Sequence, residues 1–215
     1  MNYKMIITLF LAILLNNKLL FATDGADDYK TSPEGKIGNI GNAKYSVAKK
    51  FMAVTADPRA TSSAKRILEA GGTAIDAAIS AQMVLNLVEP QSSGIGGGAF
   101  ILYYDAKTKN IYAWDGREKA PMNFFEDVFL NSNGKKKGFI EAVSGGLAVG
   151  VPALVSMLEK VHSIHGKMPW NGLFEDAITL STEGFIVGKR LEKLISRAPH
   201  LKNQKTAREY FNIDN

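Results

Sequence analysis

The sequence predicts an α/β (α+β) fold, and three stretches carry that expectation. A strand-length apolar run, Phe51 to Thr55, leads into a capped helix; an alanine-rich helix, apolar on nearly every side, follows it; and two aromatic, β-branched runs joined by a polar turn occupy residues 99–115. With 215 residues and 46% hydrophobic side chains, the chain can bury a core of its own.

Taken in order, Phe51 to Thr55 reads as a short strand. Asp57-Pro58 then opens a helix, the aspartate as cap and the proline tolerated in the first turn. Ala60, Ala64, Ile67 and Leu68 recur at helical spacing, and Gly71-Gly72 supply the left-handed end. The next helix lies in "TAIDAAISAQMVLNLVEP". Thr73 and Asp76 form a variant capping box, the all-round apolar surface predicts burial, and Glu89-Pro90 ends it. Residues 99–115 read as a hairpin with its loop near Thr108. Beyond it, Ser144 to Val151 is small and flexible. Pro152 opens a helix whose Leu154, Leu158 and Val161 share a face, and Gly166 stops it. A short helix pair follows, with Trp170 and Phe174 as core anchors and Gly184 as its stop.

Residues 1–22 read as a signal peptide: Lys4, an apolar run from Met5 to Leu15 too short to span a bilayer comfortably, and Ala22 before the cut; a retained membrane anchor is the competing reading, because Leu20 is large for its place at the cleavage site. Residues 23–45 are polar and glycine-rich, a flexible leader, so the folded domain is expected over 46–215. The formal charge is +5, and removing the two lysines of the first segment leaves about +3. The one basic cluster, Lys135 to Lys137 in "NSNGKKKG", fits a solvated loop tip, so nucleic acid is not expected as a partner. The absence of cysteine removes disulfides, thiolate catalysis and thiolate metal sites, and in an exported chain it points to a bacterial periplasm or exterior. His162 and His165 lie three apart on a helix with no third ligand nearby; they read as surface histidines, and no metal is expected.

Two features remain. "GIGGGA", Gly94 to Ala99, matches the letters of the dinucleotide fingerprint, but a helix precedes it and a strand follows, the reverse of what placing a pyrophosphate on a helix N-terminus requires. A close helix-to-strand crossing explains some of these glycines, and four in five residues exceed what a turn needs. Arg117, after Gly116 at the end of the second strand, could clamp a carboxylate with its planar fork. An exposed Arg117–Glu118 pair is the competing reading of the same spacing.

The combination of "EPQSSGIGGGAF", "DGREKAP" and "GLAVGVP", within a match running from about Phe51 to about Pro199, closely resembles the large-subunit region of gamma-glutamyltransferases, also called gamma-glutamyltranspeptidases or glutathione hydrolases. Ala153 departs from it, where the family commonly shows glycine after the proline. The resemblance implies an N-terminal-nucleophile hydrolase fold, an αββα sandwich formed after a precursor cuts itself into two subunits, of which this chain would supply the large-subunit portion. It implies attack by a freed N-terminal threonine on the γ-glutamyl amide of glutathione or another γ-glutamyl compound, with water or an amino acid resolving the acyl-enzyme and no cofactor needed. Arg117, in "DGRE", matches the arginine that binds the α-carboxylate of the γ-glutamyl group, and Glu118 and Asp115 are candidates to orient it.

The family's nucleophile sits in a Thr-His-x-Ser context, and no threonine here has that surround: Thr55 precedes Ala56, Thr61 precedes Ser62, Thr182 precedes Glu183. The expectation is therefore a chain with half of a substrate clamp and no catalytic residue of its own, completed by a complementary small subunit and inactive alone. Two alternatives stand beside it, a non-catalytic truncated relic or folded module, and a cephalosporin-acylase-like amidohydrolase. Half a sandwich would also expose a sheet face and an open edge.

Overall fold

The computed structural model of the protein describes residues 46–211, so the signal-peptide and leader expectations for 1–22 and 23–45 lie outside the described residues. Phe51 to Thr55 does not form the expected strand. Its burial alternates as a strand's would, with Met52 and Val54 outward and Ala53 packed on the core, but no other segment among the described residues pairs with it. Without a ladder partner, a strand-like pattern remains a single stretch of chain.

Helix α1, Pro58–Glu69, begins as expected: the Asp57 carboxylate accepts from Arg59 N–H at 2.8 Å and from the Arg59 guanidinium at 2.9 and 2.7 Å. Ala60, Ala64 and Ile67 face inward. Helix α2, Ala74–Val88, carries the full capping box, with Thr73 Oγ1 accepting from Asp76 N–H and Asp76 Oδ2 accepting from Thr73 N–H. Small side chains let α1 and α2 lie close enough for Ser63 and Ser80 to share a buried hydrogen bond of 2.6 Å.

Strands β1, Ala99–Asp105, and β2, Asn110–Gly116, form an antiparallel hairpin in register Ala99↔Gly116 to Asp105↔Asn110. Asp105 fixes the turn by accepting from Lys107 N–H at 2.9 Å and Thr108 Oγ1 at 3.0 Å. Past a short helix α3, Phe139–Val143, and a 3₁₀ turn, Gly146–Ala148, helix α4, Leu154–His165, lies across the inner face of the hairpin. Met157, Leu158 and Val161 join the α1–α2 core there, with Ile101, Tyr103 and Trp114 packed against it.

A 3₁₀ segment, Trp170–Phe174, runs into α5, Glu175–Glu183, and Gly184 ends it at φ +81°. Trp170 and Phe174 meet edge to face with centroids 5.0 Å apart, and Leu173 between them is fully buried. Helices α6, Lys189–Ser196, α7, Pro199–Lys202, and α8, Lys205–Phe211, complete the described chain. Arg190 of α6 pairs with the buried Glu89 at the end of α2, and Arg59 donates to the Ile186 carbonyl at 3.0 Å.

His162 and His165, expected as surface histidines, are part-buried and held by partners. His162 Nε2 donates to the Met168 carbonyl at 2.9 Å and lies 3.4 Å from Oδ1 of the fully buried Asp76, which also accepts from Lys167 N–H. His165 packs on Tyr103 and Tyr112 with centroids 4.5 and 5.2 Å away. Their face of α4 is turned to the sheet and to the start of α2, where spacing along the helix gives no sign of what covers it.

The described residues therefore form a mixed helical and small antiparallel-sheet fold, with helices on one face of a two-stranded sheet. The other face shows Phe100, Leu102, Tyr104 and Ile111 to solvent, with Leu102 79% and Ile111 71% exposed. No helix among the described residues is long and apolar enough to cross a membrane.

Candidate functional site

The glycine-rich loop, the arginine after β2 and the segment before α4 are far apart in sequence and meet at one place. Gly116 closes β2 against α4, where a Cβ would lie 2.6 Å from Met157 Sδ. The chain then turns outward, with Asp115 Oδ1 accepting from Arg117 N–H at 2.9 Å. This fixes the backbone from which the Arg117 side chain projects.

Glu118 lies beneath Arg117. A Cβ on Gly98 would sit 2.5 Å from the Gly116 carbonyl and 2.8 Å from both Arg117 Cα and Glu118 Oε2, and one on Gly150 would sit 2.7 Å from Glu118 Cβ. Only glycine permits either approach. Lys119 and Val151 hold the strips together through backbone hydrogen bonds of 2.8 and 3.4 Å. The Gly97 carbonyl accepts from Ala153 N–H at 3.2 Å and Leu154 N–H at 3.1 Å, satisfying donors at the start of α4 that have no intrahelical partner. Of the loop's four glycines, Gly97 and Gly98 are thus used by backbone and by a carboxylate, whereas Gly94 and Gly96 have open space where a Cβ would be.

The electrostatics are asymmetric. Arg117 Nη1 lies 3.3 Å from Glu118 Oε2, but the arginine side chain is 58% exposed and the glutamate 26%. Glu118 Oε2 is shielded from solvent and accepts no hydrogen bond of good geometry among the described residues. Among the described residues Glu118 is the only ion partner of this guanidinium, which it meets through Nη1, and the arginine side chain stays more exposed than buried. The Arg117–Glu118 pair expected as an alternative to a clamp is present, and it leaves the guanidinium open rather than occupied.

The described threonines named above have structural duties. Thr55 Oγ1 donates to the Asp57 carbonyl at 2.7 Å and shares a hydrogen bond with Thr61, and Thr182 Oγ1 donates to the Ile178 carbonyl at 2.9 Å. Among the described residues no three carboxylate or imidazole groups converge in a way that could hold a metal ion. Arg117 and the loop are marked in the sequence, but Gly150 as the third wall is not. The available signal was "GVP", whose glycine stands directly before the strip that bonds to Lys119.

The Gamma-glutamyltranspeptidase family model matches residues 60–215. The glutathione hydrolase proenzyme of Bacillus subtilis is 37% identical over 185 residues, covering 86% of this chain and 29% of that protein. The crystal structure of Helicobacter pylori gamma-glutamyltranspeptidase superposes with a TM-score of 0.73 at 30% identity, covering 78% of this chain and 48% of that one. Cephalosporin acylase from Bacillus halodurans superposes at 0.58 and 27% identity, covering 74% and 31%. The chain spans between about a fifth and three-tenths of the length of the curated relatives it matches.

Proposed function

The chain belongs to the gamma-glutamyltranspeptidase family, and on that premise we propose that it is the large-subunit portion, over 46–215, of a glutathione hydrolase in which Arg117 holds the α-carboxylate of the γ-glutamyl group. The observation that carries this reading is the convergence of the three motif strips on an arginine whose fork is open to solvent while its counter-ion is fixed behind it. A guanidinium fixed through its backbone and through Nη1 keeps its remaining N–H donors for a planar carboxylate, which it meets with two parallel hydrogen bonds. Asp115 fixes the Arg117 backbone and Glu118 the side chain's inner edge.

In the proposed reaction a threonine of a complementary small subunit attacks the γ-amide carbonyl, its own α-amine taking the hydroxyl proton. The protonated α-amine returns that proton to the departing nitrogen, so the amine half of the substrate leaves as a neutral amine and a γ-glutamyl ester forms on the threonine. Water or an amino acid amine then attacks that ester and releases the glutamyl group. Arg117 takes no part in bond making; it sets the register of the substrate so that the γ-carbonyl, rather than the α-carboxylate, meets the nucleophile. The small subunit would lay a second sheet over Phe100, Leu102, Tyr104 and Ile111, completing the αββα sandwich. Export through residues 1–22 would place the enzyme in the periplasm or outside the cell.

A second reading within enzymes is an acylase with another acyl preference, favoured by the cephalosporin acylase likeness. Arg117 separates the two, because an open guanidinium at this place selects an acyl group that bears an α-carboxylate. The test is turnover of a γ-glutamyl anilide against a plain acyl anilide by the chain combined with a small-subunit polypeptide; preference for the plain acyl group would overturn the γ-glutamyl reading.

A further inference from the structure

Gln82 and Asn86, one turn apart on α2, grip a residue at the start of the glycine loop. Gln82 Nε2 donates to Asn86 Oδ1 at 2.7 Å and to Ser93 Oγ, and Ser93 Oγ donates to Asn86 Oδ1 at 2.7 Å. The three side chains close a half-buried ring. From Ser93 the chain makes a tight turn, Gly97 N–H donating to the Gly94 carbonyl at 3.1 Å, and reaches Gly98 against Arg117 Cα and the Glu118 carboxylate. Within that turn Gly94 and Gly96 have nothing within 4 Å of where a Cβ would be, and Ile95 between them is 63% exposed, so the middle of the loop is only loosely packed. Its course is set from its ends: at one end by the hydrogen-bonded ring on α2, at the other by the α4 N–H groups on the Gly97 carbonyl.

We propose that Ser93 is a positioning residue: clasped by Gln82 and Asn86, it holds the Gly94–Gly98 loop against Glu118 and thereby fixes Arg117. The value of that placement rests on the γ-glutamyl reading, since a carboxylate-binding arginine must stand at a set distance from the reacting carbonyl; the mechanical link from Ser93 to Glu118 does not.

A thermodynamic cycle in the full 215-residue chain tests it without any need for turnover. Urea unfolding is measured for the wild type, Ser93→Ala, Glu118→Gln and the double variant, with Ser93→Thr as a variant that keeps the hydroxyl. Side chains that share no contact and no mechanical link act independently. A merely structural Ser93 therefore gives single effects on the unfolding constant that multiply. The expected result is a double variant that departs from that product by about threefold or more, with Ser93→Thr close to wild type. Multiplying effects, or a Ser93→Thr chain as impaired as Ser93→Ala, would overturn the proposal. If Ser93→Ala does not fold, Asn86→Ala runs the same cycle while leaving the Gln82–Ser93 hydrogen bond in place. Failure of the γ-glutamyl reading shows separately, as absent turnover, and leaves the cycle as informative as before.

Discussion

Gly150 and Glu118 approach so closely that a Cβ on the glycine would lie 2.7 Å from the Cβ of the glutamate. The atom it would strike is the base of a side chain, which cannot swing away. Gly150→Ala should therefore push the 118–119 strip off Val151 and cost about 1–3 kcal/mol, as overpacking does. Gly94→Ala, with nothing within 4 Å, is the control. Urea denaturation of both variants checks it; an unperturbed Gly150→Ala chain would mean that the strips are not packed as described.

The N-cap of α1 carries a pH dependence. Hydrogen bonds from the Arg59 side chain hold the Asp57 carboxyl below its ordinary 3.8, and burial opposes them without prevailing. A carboxylate whose folded-state value is depressed contributes stability that is present above the unfolded value and lost as pH falls through the folded one. Asp57→Asn, which keeps a capping oxygen but loses the charge, should be less stable than wild type at about pH 6, and the gap should be smaller at about pH 3, below the ordinary carboxyl value, where the depressed group has begun to lose its contribution. Urea midpoints at the two values report it, and a gap that is constant with pH would show that the Arg59 pair contributes nothing through charge.

The outer face of the hairpin predicts behaviour in solution. Leu102 and Ile111 are largely exposed, so replacing both by serine should change the unfolding free energy by no more than about 0.5 kcal/mol per site. The same change should lower self-association of the isolated chain, because a contiguous apolar face is what drives it. Light scattering and thermal unfolding measured together separate the two effects. A large loss of stability would mean that this face is covered within the chain itself.

What was legible in the sequence is what is decided locally. Asp57-Pro58 and the Thr73–Asp76 box are contacts two or three residues long, and the hairpin needs only a turn and two alternating runs. Phe51 to Thr55 has the alternation of a strand but not the partner, and pairing is a property of two segments. His162 and His165 were legible as neighbours on a helix; that Asp76 and the tyrosines wait opposite them is settled by how α4 is laid down, across long sequence separations. Arg117 could be named by resemblance, whereas the cradle of Gly98 and Gly150 around Glu118 joins residues about fifty positions apart and leaves no local trace.

The central claim is that Arg117 binds the substrate carboxylate, and the most direct measurement is kcat/KM for a γ-glutamyl anilide with the wild-type and Arg117→Leu chains, each combined with a small-subunit polypeptide carrying the threonine nucleophile. Losing a charged partner to a buried carboxylate should cost about 2–4 kcal/mol, roughly 30- to 1000-fold in kcat/KM. Arg117→Lys should recover only part of this, since it restores the charge without the fork. An Arg117→Leu chain with unchanged kcat/KM would contradict the assignment.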